Sequence, residues 1–203
     1  MTLQNTDGII AMVDRATQQK GLRISKTIVI IGLMGAGKSR IGRDLATKFG
    51  FSFVDTDDEI VRAAGCSIPD IFELYGEKAF RDLEERVISR LLSSEVQIIA
   101  TGGGAFMNAK IREEIREHGV SIWLKAGLNV LVERTSRRKS RPLLKHGDPA
   151  TILQALMNER YPVYGEADIV VDTRDIPVDD TLNATADALA AYIDKQLELK
   201  YDE

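Results

Sequence analysis

A chain of 203 residues has room for one domain core and a short appendage, not for two full cores. Hydrophobic residues make up 44% and charged residues 29%, the composition of a folded globule, and the charge sum of 27 − 31 = −4 argues against a surface built to coat nucleic acid or an anionic membrane. One cysteine, Cys66, cannot close an internal disulfide, and His118 and His146 lie far apart, which excludes a Cys/His zinc site and points to a reducing, cytoplasmic setting.

The opening residues Thr2, Gln4, Asn5 and Asp7 lack the basic start and apolar stretch of a secretory signal. No uncharged apolar run reaches the ~18 residues of a membrane-spanning helix. Residues 1–25 carry little strand signal, and Ile9, Ile10, Met12 and Val13 suit a short helix ended by Gly21, so this stretch is expected to be a loosely docked extension of a domain spanning 26–203. From Lys26 onward short β-branched runs alternate with longer amphipathic stretches. Strands are predicted over 27–31, 52–55, 97–101, 120–124 and 168–171, and helices over 38–49, 77–92, 109–118, 130–138, 151–163 and 179–199. In the second of these helices Phe80, Leu83, Val87 and Leu91 recur at three- and four-residue steps. Short apolar strands joined by helices need crossover connections, which implies an α/β three-layer domain with a parallel sheet.

Directly after the first predicted strand stands G-L-M-G-A-G-K-S, Gly32 to Ser39, which fits G-x-x-x-x-G-K-[ST] at every fixed position. Backbone N–H groups at a glycine-rich turn and a helix N-terminus supply donors to a polyanion without bulky side chains. Gly35, Ala36 and Gly37 belong to that cradle, Lys38 reaches the outer phosphates as a point charge, and Ser39 offers a hydroxyl to Mg²⁺. The motif specifies a nucleoside triphosphate and leaves GTPase, ATPase and small-molecule kinase open. An N-K-x-D base-reading stretch, usual in guanine switches, is absent.

What the nucleotide is used for must come from the other strand ends. The second ends in F-V-D-T-D, and Asp55 and Asp57, two apart on a strand, would share a face beside the cradle. One acid would hold the metal or its water shell and the other would accept a hydrogen bond from an alcohol; both equally suit helix-capping acids leading into residues 58–62. Gly102, Gly103 and Gly104 follow the third strand and leave backbone bare for a ligand. Arg81 and Arg160 offer guanidinium forks that match a carboxylate bidentately, as lysine cannot. The basic run R-R-K-S-R, 137–141, lacks interleaved aromatics and reads as a lid that brings Arg141 over the transferring phosphate.

Six segments in order, G-L-M-G-A-G-K-S, F-V-D-T-D, G-E-K-A-F-R-D-L-E, A-T-G-G-G, R-P-L-L and E-R-Y followed by Tyr164, Ala167 and Asp168, resemble shikimate kinase over residues 26–173. The resemblance implies a P-loop kinase fold with a five-stranded parallel sheet in the order 2-3-1-4-5, flanked by helices as in nucleoside monophosphate kinases, and a short lid over about 137–149. It implies Mg²⁺-dependent transfer of the γ-phosphoryl of ATP to the 3-hydroxyl of shikimate. Asp57 would orient or deprotonate that hydroxyl, Arg81 and Arg160 would clamp the carboxylate, and Gly102, Gly103 and Gly104 would line the acceptor. Asp55 and Ser39 would hold Mg²⁺. Arg141 and Lys38 would meet the phosphates, with Arg134 beside the adenine, residues 173–177 as the adenine loop, and Arg40 next to the cradle, where many relatives have threonine. A monomer without nucleic-acid or membrane partners is expected. A gluconate kinase or nucleoside monophosphate kinase shares the cradle and lid and is the nearest rival.

Overall fold

The computed structural model describes residues 24–136, 147–174 and 177–201. Residues 1–23 of the expected N-terminal extension, residues 137–146 of the predicted lid with Arg141, and residues 175 and 176 of the predicted adenine loop lie outside the described residues. The remainder is a parallel five-stranded sheet in the order β2-β3-β1-β4-β5, as the resemblance implied. Its elements in chain order are β1 (Thr27–Ile31), α1 (Lys38–Phe49), β2 (Phe53–Asp55), α2 (Thr56–Ala64), α3 (Ile68–Leu92) and β3 (Ile98–Ala100). A 3-10 turn (Ala105–Met107) follows, then α4 (Ala109–His118), β4 (Gly119–Ala126), α5 (Leu128–Ser136), α6 (Pro149–Tyr164), β5 (Ile169–Thr173) and α7 (Val178–Tyr201).

The central strand β1 is T-I-V-I-I, buried at all five positions, as a strand covered on both faces requires. It pairs through Ile28 to Ile30 with β3 and along its whole length with β4. The chain leaves β1 toward β2 and later crosses from β3 to β4, so right-handed crossovers put helices on both faces and reverse direction at β1. On one face α1 buries Ile41, Leu45, Ala46 and Phe49, the i, i+4, i+8 stripe of an amphipathic helix, and α7 joins it through a Lys48–Asn183 hydrogen bond of 2.9 Å. Elsewhere α3 and α4 are tied by Ser89 Oγ donating to Glu114 Oε2 at 2.5 Å.

The strands and most helices form where the sequence places them, with three differences. β4 runs to Ala126 because pairing with β5 continues through Lys125 to Ala126↔Thr173, which hydropathy alone does not reveal. The helix expected from Glu77 is the second limb of a longer one: Ile68 to Tyr75 form a first limb opened by a Ser67/Asp70 capping box, joined at Gly76 with φ 79° and ψ 173°. Asp57 does not share a strand face with Asp55, since β2 ends at Asp55 and Asp57 lies in the first turn of α2. The capping alternative holds here, with the Asp55 carboxylate accepting the Asp57 N–H at 3.1 Å.

Candidate active site

Parallel strands bring their C-terminal ends to one edge of the sheet, and there the predicted residues collect. The phosphate loop leaves β1 and enters α1. Gly37 takes the N-cap position with φ 100°, a left-handed conformation costly to other residues, and provides no side-chain cap, so the first N–H groups of α1 face the loop's concavity. Gly32 has φ 143°, and a methyl group there would fall 2.8 Å from the Leu124 carbonyl oxygen. Lys38 lies along the loop, its Nζ donating to the Gly32 and Leu33 carbonyls at 2.8 and 3.1 Å. Ser39 Oγ donates to Asp55 Oδ2 at 2.6 Å, so one carboxylate caps α2 and reaches the first turn of α1.

Asp57 follows in the first turn of the helix that Asp55 caps. Burial, with the Asp55 charge adding and Lys38 opposing, lifts its carboxyl above the ordinary range. A methyl group on Gly102 would meet Asp57 Oδ1 at 3.1 Å and Glu84 Oε1 at 3.0 Å, so two carboxylates border the start of the glycine run. Thr56, fully buried, accepts the Gly102 N–H at 3.2 Å and sets that run against α2.

The two arginines arrive from different helices. Arg81, on the second limb of α3, donates to Glu84 at 2.7 Å and to Glu77 at 3.2 Å. Burial works against its charge, but these carboxylates outweigh burial and raise its pKa. A methyl group on Gly104 would fall 2.6 Å from Arg81 Nη1, so glycine leaves the space that the guanidinium fills. Arg160, on α6, donates to the Gly103 carbonyl at 2.9 Å, and its buried Nε has no partner among the described residues. Gly103 also lies against the phosphate loop, 3.6 Å from the Gly32 carbonyl oxygen when measured from a methyl placed on it. Asp57, Arg81, Arg160 and the three glycines thus meet beside the cradle.

Other predicted residues stand further out. Arg134, half-buried on α5, donates to the Arg174 carbonyl at 2.9 Å, which ties it to the start of the predicted adenine loop. The side chain of Arg40 turns to Asp44 at 2.6 Å, with Asp179 of α7 nearby. Gly35 packs against α5, where a methyl would meet Thr135 Cγ2 at 3.0 Å.

Two residues at the site escaped the sequence reading. Glu84, only 1% exposed, pairs Arg81 and leaves Oε1 without a partner among the described residues. Burial raises its carboxyl, the Arg81 hydrogen bond and charge pull it down, and Asp57 pushes it up again, with a net rise. Its signal was the i, i+3 spacing from Arg81 within F-R-D-L-E. Tyr164, whose hydroxyl also donates to the Gly103 carbonyl, stood in a matched segment without a role.

The donor set of Ser39 and Asp55, a hydroxyl and a carboxylate, suits a hard cation that takes its remaining ligands from water and phosphate. Among the described residues no group of three His, Cys, Asp or Glu side chains could hold a metal by itself, and no helix is long and apolar enough to cross a membrane.

The family model for shikimate kinase matches residues 34–193. The shikimate kinase of Mesorhizobium japonicum is 54% identical over 151 residues, 74% of each chain. Among solved structures, shikimate kinase from Acinetobacter baumannii in complex with shikimate superposes with a TM-score of 0.73 at 35% identity, covering 90% of this chain and 97% of that one. A gluconokinase from Sinorhizobium meliloti, at 20% identity and a TM-score of 0.60 over 88% of this chain and 99% of its own, shares the fold alone.

Proposed function

The chain belongs to the shikimate kinase family, a family of ATP-dependent enzymes that phosphorylate shikimate, and we propose that its acceptor is the 3-hydroxyl, held at the strand ends beside the phosphate loop. The observation that carries this reading is the meeting of the Arg81 and Arg160 guanidiniums on consecutive glycines, Gly104 and Gly103, with the Asp57 carboxylate at Gly102. Cationic forks at one end and an acid at the other complement a small carboxylate bearing hydroxyls.

In this reading Arg81 and Arg160 clamp the carboxylate and hold the ring. The buried Arg160 Nε is a donor that such an anion would satisfy. Asp57 accepts the hydrogen bond of the attacking hydroxyl; its raised pKa makes it a better proton acceptor than an ordinary carboxylate. Lys38 moves from its carbonyl contacts to the β- and γ-phosphates, and the N–H groups opening α1 receive them. Ser39 and Asp55 would hold Mg²⁺, which supplies neutralisation of the developing phosphate charge. Arg141 would add charge to the phosphates and Arg134 would lie beside the adenine. Phosphoryl transfer demands mostly such alignment and charge neutralisation. The single cysteine accords with a reducing, cytoplasmic setting, where the enzyme would work as a monomer.

The test is the split between the two substrates. Because the Arg81 side chain keeps 34% of its surface exposed, its truncation belongs at the low end of the range for a paired charge, about 2 kcal/mol, or roughly thirtyfold. Arg81→Ala is expected to raise the KM for shikimate by that order and leave the KM for ATP nearly unchanged, measured by coupled ADP detection. Equal rises for both substrates would overturn the clamp, and turnover of gluconate in preference to shikimate would overturn the acceptor.

A further inference from the structure

We propose that Tyr164 is a positioning residue for the acceptor site: its hydroxyl and the Arg160 guanidinium together hold the Gly103 carbonyl oxygen, and this double grip fixes both the glycine run and the aim of Arg160. The proposal rests on the reading of Arg160 as a carboxylate clamp.

Tyr164 and Arg160 are four residues apart on α6 and so share a helix face. Both donate to one oxygen, which has two lone pairs to offer. The peptide that carries this oxygen joins two glycines, whose backbone is the least restricted of any residue's, and lies where the phosphate loop, Arg81 and Arg160 come together. A peptide unit is planar, so pinning its carbonyl pins the plane, and the Gly104 backbone against which Arg81 rests is pinned with it. One donor alone would leave the carbonyl free to turn about the other lone pair, and Arg160 free to follow it.

The tyrosine is itself enclosed. It is 0% exposed, with its ring edge-on to Trp123 at 5.8 Å and to Phe106 at 6.3 Å between centroids. Packing of that kind needs only a phenyl ring, and a buried hydroxyl is costly without a partner. The partner it has is a site carbonyl rather than a core group. Burial pushes its phenol up to about 12, so the group remains a donor throughout the working pH range. A control stands beside it: Tyr161, in the same aromatic cluster, donates instead to the Ala126 carbonyl at 2.5 Å, at the end of β4.

Steady-state kinetics of Tyr164→Phe, Tyr161→Phe and Arg160→Lys, with calorimetric shikimate binding and melting temperatures, test the proposal. Loss of one neutral hydrogen bond predicts that Tyr164→Phe raises the shikimate KM and Kd about three- to tenfold, with kcat and the KM for ATP within about twofold. Tyr161→Phe should leave the shikimate KM within about twofold. A shikimate KM unchanged in Tyr164→Phe, an equal rise in both tyrosine variants, or a parallel rise in the KM for ATP would each overturn the role. Arg160→Lys separates the two readings. If it weakens shikimate binding strongly while Tyr164→Phe does not, the tyrosine's role falls and the clamp stands; if it changes nothing, the clamp falls and takes this inference with it.

Discussion

Glu84 shows how a single side chain is pulled two ways at this site. It is buried, paired to Arg81 on one oxygen, and close to Asp57, and the sum of these influences leaves its carboxyl above the usual range. In the unfolded chain a glutamate titrates near pH ~4.3, so from there up to the higher folded value the unfolded state has already released a proton that the folded state keeps. The unfolded state binds fewer protons in that window, and the stability contributed by this group falls as pH rises. Glu84→Gln removes the titration. The stability of the natural chain relative to the variant should therefore decline from about pH 4 toward neutrality, read from urea midpoints at successive pH values. A difference that instead grows with pH would mean that Arg81 outweighs burial. Asp57 shifts in the same direction, and its repulsion with Glu84 is lost in the variant, so the coupling adds to the same decline instead of masking it.

Among the elements, α3 is the one whose shape depends on a single backbone position. Gly76 adopts φ 79° and ψ 173°, a region open in practice only to glycine, and no atom lies within 4 Å of where a methyl group would sit. The penalty for Gly76→Ala is therefore one of backbone conformation alone, about 1–3 kcal/mol, or a melting temperature lower by some 2–12 °C for a chain of this size. An unchanged melting temperature would show that the two limbs straighten at no cost. The second limb carries Arg81 and Glu84, so the kink also directs one clamp. The helical period of Phe80, Leu83, Val87 and Leu91 made that limb legible, while the first limb was not, and α2 showed only in the acids that suit capping a helix over residues 58–62. The first limb's core residue is the lone Ile71, and Phe72 and Leu74 are exposed, so no apolar stripe marks it.

For the whole molecule, the sheet edge collects residues from Gly32 to Tyr164. Removing residues 1–23 is expected to leave both KM values within about twofold and the light-scattering mass that of a monomer. A loss of activity or a change of oligomeric state would give the extension a role. The strand order came with the family resemblance that six segments in sequence carry, and the sheet has that order. Residue roles were less legible. Asp55 and Asp57 looked equivalent as alternate strand positions, and only the start of α2 between them separated a capping acid bonded to Ser39 from one whose carboxyl is held above the ordinary range.

By itself the sequence determined the chemistry: a phosphate cradle is written in consecutive residues, since one loop must supply all its N–H donors, and β-branched runs between amphipathic stretches admit little other than a parallel sheet with helices. Only the tertiary structure decided which charges face one another. Arg81 and Arg160 are 79 positions apart, as 160 − 81 counts them, and meet because two crossovers return their helices to one end of the sheet. That Glu84 tempers one clamp and Tyr164 braces the carbonyl held by the other depends on burial and on distances of a few ångströms, and neither quantity is carried by residue order.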